Sequence, residues 1–351
     1  MNIDIAALEG IEKEAGIPVD DLLTTIATAL LHAYRETREE SGPTGRGGTG
    51  AGASAAGEVS DSKARVDIDT ETGQVAVLVS ELDEEGNVVS EYDDTPVNFS
   101  RVGALAVREA IFKRMRSAEA TRAYDEYSGL EGKVVSGVVQ RDANANARGI
   151  VVVQLGTEVN PQDGILLPAE QIPGEKLEHG DRVKAYVVGV TTGDRNTTVN
   201  LSRTHPELVR GLFALEVPEV EDGSVEIVGI AREAGHRSKV AVKGTVKGIN
   251  AKGACIGPRG ARVTNIMDGL NGEKIDIVDY SDDPAVYVGN SLAPSKVIKV
   301  EVLDLEAQTA RVTVPDYQLS LAIGREGQNA RLAARLTGWK IDIHSDAGRA
   351  D

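Results

Sequence analysis

The spacing of apolar residues predicts helices, then strands, then one long helix in the first part of the chain. Over residues 3–40 apolar side chains recur every three or four positions, with a break at Gly16 and Pro18, which predicts two helices. Three alternating runs that predict strands follow at Ala64–Asp69, Gln74–Val79 and Val88–Tyr92. The helical spacing returns over residues 100–127 and predicts a connector helix.

Short strand-like runs separated by Gly, Pro and Asp occupy the middle of the chain. They are Lys133–Gln140, Ile150–Leu155, Gly164–Pro168, Arg182–Val190 and Thr198–Ser202. Five short strands between residues 131 and 203 predict a small closed β-barrel of the OB type. The sequence GILLP in the third run and HGDRV before the fourth resemble an S1 RNA-binding domain. A small barrel without a ligand is the alternative interpretation.

One short stretch occurs twice in the last third of the chain. It reads IGPRG at Ile256–Gly260 and IGREG at Ile323–Gly327, and GEKIDI or GWKIDI follows each copy. The strand-like runs that precede the two copies are Val225–Ala231, Lys239–Val242, Val297–Val302 and Ala310–Val314. Because the glycines of the copies lie 67 residues apart, the pattern predicts two small domains in tandem.

The repeated Gly-x-x-Gly stretch suits contact with a nucleic-acid backbone. Two glycines allow a sharp turn and remove side chains that would hold a phosphate away. The helix that follows points free N–H groups and its positive dipole end at the loop. One such stretch is usually an ordinary turn, but two copies in the same frame of strands and helices resemble the KH domain. In that domain the GxxG loop clamps about four nucleotides of single-stranded nucleic acid.

The predicted RNA-binding residues lie in these loops and on the basic segments near them. The loop residues are Gly257, Pro258, Arg259, Gly260, Gly324, Arg325, Glu326 and Gly327. Those of the adjacent helices are Lys252, Arg262, Gln328 and Arg331. The first strand pair adds Arg232, Arg237 and Lys239, and the barrel adds Lys184, with Arg182 and Arg203 as further candidates. Since Tyr186 is the only aromatic residue between 131 and 203, base stacking on the barrel is limited.

The charge is distributed unevenly along the chain. The net charge is −17, of which residues 1–100 carry −15 (6 basic against 21 acidic), whereas residues 227–345 carry +3 (16 basic against 13 acidic). An acidic head and a mildly basic tail predict two different partners. An acidic surface that serves solubility is the alternative.

Other features limit the class of protein. Cys255 is the only cysteine, which excludes a disulfide framework and a cysteine zinc site, and we expect it to be a small buried residue. The Gly-rich segment 41–57 is predicted to be disordered, and its GRGGTG lacks the strand and helix of a dinucleotide site. Without a signal-like segment or a long apolar run, the protein is predicted to be cytoplasmic. No cofactor or metal is expected.

Longer stretches resemble the NusA family of bacterial transcription elongation and termination factors. These are LSRTHPELVRGLFALEVPEVEDGSVEIVGIAREAG, GACIGPRGARV, GEKIDIV and AIGREGQNARLAARLTGW. The resemblance covers nearly the whole chain, is looser over residues 1–100, and includes a Gly-rich insert of a kind that suits high-GC bacteria such as actinobacteria. It implies a multidomain α+β protein with an α/β N-terminal domain, an S1 barrel and two KH domains of the bacterial α-β-β-α-α-β type.

The resemblance also implies the domain limits and the partners. The expected domains are 1–127 for the head with its connector helix, 128–203 for S1, 204–282 and 283–346 for the KH domains, and 347–351 for a disordered tail. The head is expected to dock on RNA polymerase core, and S1 and KH domains to hold nascent single-stranded RNA. Other Nus-type antitermination factors are expected partners, and the protein is expected to be a monomer without membrane contact. Such a factor modulates pausing, termination and antitermination.

Two other functions compete with this interpretation. Exoribonucleases such as polynucleotide phosphorylase also carry KH and S1 modules, but KH precedes S1 there and both follow large catalytic domains. Here S1 comes first, only residues 1–127 are left for catalysis, and the five histidines are scattered, so we expect no enzyme. A ribosome-associated or mRNA-binding translation protein is the second alternative, and it would lack a head that docks on polymerase.

Overall fold

The chain folds into two compact units. The computed structural model describes residues 1–40, 62–83, 87–97, 99–157, 161–193 and 196–348. One unit comprises Met1–Tyr124 with Thr192–Thr197, and the other comprises Asp125–Thr191 with Thr198–Asp351. The predicted disordered segment 41–57 and the last residues of the predicted tail, 349–351, lie outside the described residues. Within the described ranges no helix is both long enough and apolar enough to cross a membrane.

The N-terminal unit packs helices on a three-stranded antiparallel sheet of order β1-β2-β3. Its elements are α1 (Ile5–Ala15), α2 (Val19–Glu40), β1 (Ser62–Ile68), β2 (Val75–Leu82), β3 (Val88–Asp93) and α3 (Phe99–Ser128). Helix α1 begins at the capping carboxylate of Asp4 and ends at Gly16, whose φ of 68° closes the helix. The alternation of β2 buries Val75, Val77 and Val79 in one core with α2. The predicted mixture of helices and strands is confirmed.

The second unit begins with a closed five-stranded barrel of order β4-β5-β6-β8-β7. Its elements are β4 (Val134–Gln140), α4 (Ala143–Asn146), β5 (Val151–Gly156), β6 (Pro161–Leu166), β7 (Arg182–Thr192) and β8 (Thr197–Ser202). Glycine is required at Gly137 and Gly164, because a Cβ atom there would lie 2.5 Å from the core side chains of Val153 and Leu201. The predicted OB-type barrel is therefore confirmed.

Two α-β-β-α-α-β units follow the barrel, as predicted. The first contains α5 (Pro206–Glu216), α6 (Pro218–Glu221), β9 (Val225–Glu233), β10 (Arg237–Gly244), α7 (Ala251–Ile256), α8 (Ala261–Gly269) and β11 (Lys274–Asp279). The second contains α9 (Pro284–Ser291), β12 (Lys299–Asp304), β13 (Thr309–Val314), α10 (Leu319–Ile323), α11 (Gln328–Thr337) and β14 (Lys340–Ser345). In each unit the middle strand is antiparallel to the first strand and parallel to the last.

A buried arginine joins the barrel to the first KH unit. Arg203 ion-pairs with Glu175 and donates to the carbonyl oxygens of Lys184 (2.5 Å) and Gly269 (3.1 Å). The tyrosine ring of the barrel is also engaged at this junction, because Tyr186 stacks on His205 with ring centroids 4.4 Å apart. The prediction that Arg203 contacts RNA is wrong, since its guanidinium is enclosed by these partners.

The two KH units pack directly against each other. Tyr287 of α9 lies in an apolar cluster with Ala241 and Val278 of the first sheet, and its hydroxyl donates to the carbonyl oxygen of Leu336 (3.2 Å). Tyr287 and Leu336 belong to the second KH unit. Helices of the second KH unit therefore cover one face of the sheet of the first KH unit. This packing places the two repeated loops on one body.

Candidate nucleic-acid interface

The two GxxG loops have nearly the same backbone conformation. The first glycines, Gly257 and Gly324, have φ/ψ of 74°/175° and 78°/169°. The last glycines, Gly260 and Gly327, have 77°/12° and 75°/12°. Between them each loop forms a single 3-10 turn, so the repeat in the sequence is also a repeat in geometry.

The glycines of each loop are required for different reasons. A Cβ atom on Gly257 would lie 2.6 Å from the side chain of Arg262, and one on Gly324 would lie 2.7 Å from the backbone nitrogen of Asn329. The following helix therefore packs on the first glycine. A Cβ atom on Gly260 or Gly327 would meet nothing within 4 Å, and only the positive φ favours glycine there. The outer side of each loop is open to a phosphate.

A non-glycine residue in each loop has a left-handed conformation. These residues are Arg259 (φ 55°) and Glu326 (φ 53°), and they occupy the same position in the two copies. Such a conformation costs about 1–2 kcal/mol and persists only where the surrounding structure holds it. Strained positions of this kind cluster at binding sites, which supports a functional role for the loops.

The helix that follows each loop has an uncapped N-terminus. Helices α8 and α11 begin directly after Gly260 and Gly327, and no side chain caps either one. The first N–H group of each helix already donates to a carbonyl oxygen of the preceding turn, so the helix offers an anion at the loop the positive end of its dipole. Arg259 and Arg325 add exposed guanidinium groups, and the side chain of Arg325 is 93% exposed. Glu326 lies 4.0 Å from Arg325 and offsets part of its charge.

An apolar groove of about 350 Å³ adjoins the first loop. Ile256, Val263, Ile275 and Ile277 form its apolar surface, and the remaining lining residues are Lys252, Asp276, Ala293 and Pro294. The groove joins α7 and α8, which flank the loop, to the edge strand β11 and to the turn that follows α9 in the second KH unit. An apolar surface beside a phosphate-binding loop can hold bases while the loop holds the backbone.

Three of the predicted RNA-binding side chains instead brace the loops. Arg262 ion-pairs with Glu219 (2.9 Å) and donates to the carbonyl oxygen of Ala254 (2.8 Å). Gln328 and Arg331 both bind Glu233, which belongs to the other KH unit, at 2.9 and 2.7 Å. The hydrogen bond from Arg331 lowers the pKa of Glu233. These contacts hold the three side chains beside the loops and stabilise the position of the loops.

The prediction that Arg232 contacts RNA is wrong. Its side chain is 1% exposed and forms a bidentate ion pair with Glu273, which is 0% exposed. Arg232 also donates to the carbonyl oxygen of His205 (2.8 Å), while Glu273 accepts from the Ser238 hydroxyl (2.6 Å) and the Gly235 N–H (2.9 Å). RNA cannot reach a guanidinium that is enclosed in this way.

The prediction is also wrong for Lys239. Its side chain is 0% exposed, and its ammonium group lies 3.1 Å from Asp276 and 2.7 Å from the carbonyl oxygen of Ala293. Burial lowers the pKa of Lys239, and the charge of Asp276 opposes that shift. Arg237 shares Asp276 at 2.7 Å but remains partly exposed. Lys239 therefore ties the first KH unit to the turn that follows α9 in the second KH unit.

The barrel offers a smaller basic surface than its sequence predicts. Arg182 and Lys184 are exposed and line a crevice of about 280 Å³ together with Glu216 and Asp268. Tyr186 is already stacked on His205, which occupies one face of the ring on which a base could stack.

Within the described ranges, the cysteine and the metal-ligating residue types form no second site. Cys255 is buried, as predicted, and burial raises its pKa to about 11, so the thiol stays protonated. Among the residues that the structure describes, no three His, Cys, Asp or Glu side chains are grouped to hold a metal ion. The carboxylates Glu219, Glu233 and Glu273, which hold the arginines, were not predicted as site residues.

The fold and the paired loops define a tandem KH-domain protein, a class that binds single-stranded nucleic acid. The NusA-like first KH domain matches residues 203–280, and the NusA-like second KH domain matches residues 284–351. The chain is 57% identical over 347 residues to the transcription termination/antitermination protein NusA of Mycobacterium tuberculosis, and the match covers 99% of this chain and 94% of that protein.

More distant relatives carry the same name. The NusA proteins of Bacillus subtilis and Thermus thermophilus are 40% and 36% identical over 364 and 358 residues. Each match covers 97% of this chain, and 90% and 88% of the two relatives. The chain belongs to the NusA family of transcription termination/antitermination proteins, which confirms the predicted resemblance.

Proposed function

We propose that this protein is an RNA-binding transcription elongation factor that docks on RNA polymerase and holds nascent RNA. In this role it modulates termination and antitermination, which the names of its relatives give, and also pausing. The observation that carries the proposal is the pair of loops with matching dihedral angles, each followed by an uncapped helix. Arg259, Arg325 and the positive ends of the helices after the loops bind phosphates, and the groove beside the first loop holds bases.

The domain limits of this proposal follow the sequence. We propose a head at 1–127, the S1 domain at 128–203, and KH domains at 204–282 and 283–346. Other Nus-type antitermination factors are proposed as further partners, and the protein acts as a cytoplasmic monomer without catalysis. A pull-down that compares binding of this protein to purified polymerase core and to ribosomes distinguishes the proposal from a role in translation. Capture by ribosomes alone would contradict the transcription role.

Binding of single-stranded RNA is expected to weaken steeply with salt. If the loops neutralise phosphates, the logarithm of the affinity should fall with the logarithm of salt concentration at a slope of about −0.7 for each phosphate neutralised. Fluorescence anisotropy of a labelled 12-nucleotide RNA between low and physiological salt measures the slope. A slope near zero would show that the loops do not bind the backbone. Duplex RNA of equal length serves as the control and should bind more weakly.

The proposed polymerase surface lies on α3. This helix carries exposed apolar side chains at Val102, Leu105 and Phe112, in a unit whose first 100 residues are strongly acidic. Arg108 lies over the ring of Phe112, 5.6 Å from its centroid, so the same surface is also basic. Exposed apolar side chains beside basic ones suit a protein partner better than a phosphate backbone.

A fragment of residues 1–125 is expected to bind polymerase core and not RNA. The N-terminal unit has its own hydrophobic core, so the fragment should fold alone. The charge of −15 on residues 1–100 repels RNA at physiological salt. Pull-down with purified core enzyme and RNA anisotropy measure the two activities. Replacing Leu105 and Phe112 by serine should reduce core binding, and tight RNA binding by the fragment would overturn this assignment.

A further inference from the structure

Glu233 is a carboxylate of the first KH unit that binds three side chains of the second. It ends β9, and its oxygens accept from Arg331 at 2.7 and 3.2 Å and from Gln328 at 2.9 Å, while Arg335 lies 3.8 Å away. All three partners project from α11, the helix that begins directly after the second loop. The side chain of Glu233 is 18% exposed, so water competes little for these contacts.

The same contacts continue into the second loop. While Glu233 holds its Nε and Nη2 atoms, Arg331 uses Nη1 to donate to the carbonyl oxygen of Glu326 at 3.2 Å. Glu326 is the loop residue with the left-handed conformation, which persists only if its surroundings hold it. A chain of charge-assisted hydrogen bonds therefore runs from the first KH unit to the strained residue of the second loop.

The first loop is braced differently. Its left-handed residue is Arg259, and no side chain among the described residues donates to the Arg259 carbonyl oxygen. The arginine that follows this loop, Arg262, instead donates to Ala254 and ion-pairs with Glu219. Only the second loop is thus braced through a residue of the other KH unit. The first loop can therefore serve as the control for the second.

We propose that Glu233 is a positioning residue for RNA binding by the second loop. It holds Arg331 in the geometry that fixes the Glu326 carbonyl, so that the loop and the positive end of α11 are arranged for phosphate before RNA arrives. This inference rests on the proposed function and deepens it. It assigns the second loop a shape that depends on docking to the first KH unit.

If Glu233 competes with RNA instead of positioning the loop, its removal should change the RNA affinity in the opposite direction. If Glu233 merely competed with phosphate for Arg331, removing its charge would release a free arginine beside the loop and strengthen RNA binding. General electrostatics points the same way, because one negative charge near the RNA is lost. A positioning role instead predicts weaker binding, so the sign of the change separates the two.

The test compares Glu233→Gln in two backgrounds. In P258D/R259D, where the first loop is blocked, the affinity for a 12-nucleotide oligoadenylate reports on the second loop. There we expect E233Q to weaken binding by about tenfold, since one charge-assisted hydrogen bond no longer holds the loop. In R325D/E326D, where the second loop is blocked, E233Q should change the affinity by less than about twofold. Glutamine nearly matches glutamate in shape, and the packing of Tyr287 keeps the units docked.

The controls keep each failure separate. Glu226→Gln removes a charge from an exposed position of the same strand and measures the general electrostatic effect. Equal or tighter binding by E233Q in the first background, or an equal loss in both backgrounds, would overturn the positioning role. If neither blocked loop weakens binding relative to wild type, the proposed RNA function itself fails, whatever E233Q does. Thermal unfolding of each variant checks that both KH units are folded.

Discussion

The variant P258D/R259D/R325D/E326D is expected to lose RNA affinity by several kcal/mol while both KH units stay folded. The new carboxylates stand where phosphates are proposed to bind, and each lost charge-assisted contact is worth about 1.5–3 kcal/mol. All four side chains are exposed, so the stability should change little. Aspartate tolerates the left-handed conformation of Arg259 and Glu326, and a negative charge at a helix N-terminus is stabilising.

The isosteric asparagine variant is the matched control. P258N/R259N/R325N/E326N removes the arginines and adds side chains of the same shape, but it places no carboxylate at the loops. We expect it to bind RNA more tightly than the aspartate variant and less tightly than wild type. Blocking the first loop alone should cost more than blocking the second, because Glu326 already offsets Arg325.

Polymerase binding through the head should survive in the aspartate variant. Anisotropy measures RNA binding, core pull-down measures docking, and circular dichroism confirms folding. If the folded aspartate variant binds RNA like wild type, the clamp interpretation is wrong and the glycines are turns only.

Glu273→Ala is expected to destabilise the first KH unit by about 3–5 kcal/mol, because it leaves the buried charge of Arg232 without its partner. The Ser238 hydroxyl and the Gly235 N–H lose their acceptor as well, and an unpaired buried donor adds a further penalty. Urea unfolding of the full chain measures the loss. It is read at the unfolding transition of the compact unit that contains the barrel and both KH units.

Two further variants identify the cause of the destabilisation. Glu226→Ala, at an exposed position, should shift the stability by no more than about 0.5 kcal/mol. The double variant R232M/E273L removes both charges and should recover much of the loss, because a buried ion pair often breaks even against apolar residues of similar volume. A loss below about 1 kcal/mol for E273A would show that the pair is not important for folding.

Much of the fold could be predicted because its signals are local. Alternation, helical spacing and Gly/Pro punctuation indicate the five barrel strands and the two KH units, and the structure confirms them. Element ends were less accurate. The third barrel run was expected at Gly164–Pro168, but the strand spans Pro161–Leu166, and Pro168 starts a 3-10 turn that carries the chain away from the barrel.

The site was predicted only in part, because basic residues look alike in a sequence. Arg232 and Arg259 both stand near turns, yet Arg232 is buried against Glu273, 41 positions away, and Arg259 is exposed. One local signal was present. The copies GEKIDI and GWKIDI differ where Glu273 and Trp339 stand, and both side chains are buried. A buried position that holds glutamate in one copy and tryptophan in the other indicates a buried ion pair in the first.

The sequence by itself determined the two loops and the tandem order of the domains. A glycine turn depends on the residues next to it, and the conformations of Gly257 and Gly324 follow from the local sequence together with the helix after each loop. The tertiary structure decided which charges are free. Desolvation and pairing depend on distant partners such as Glu233 and Asp276, so only folding separates an arginine that can bind RNA from one that holds the protein together.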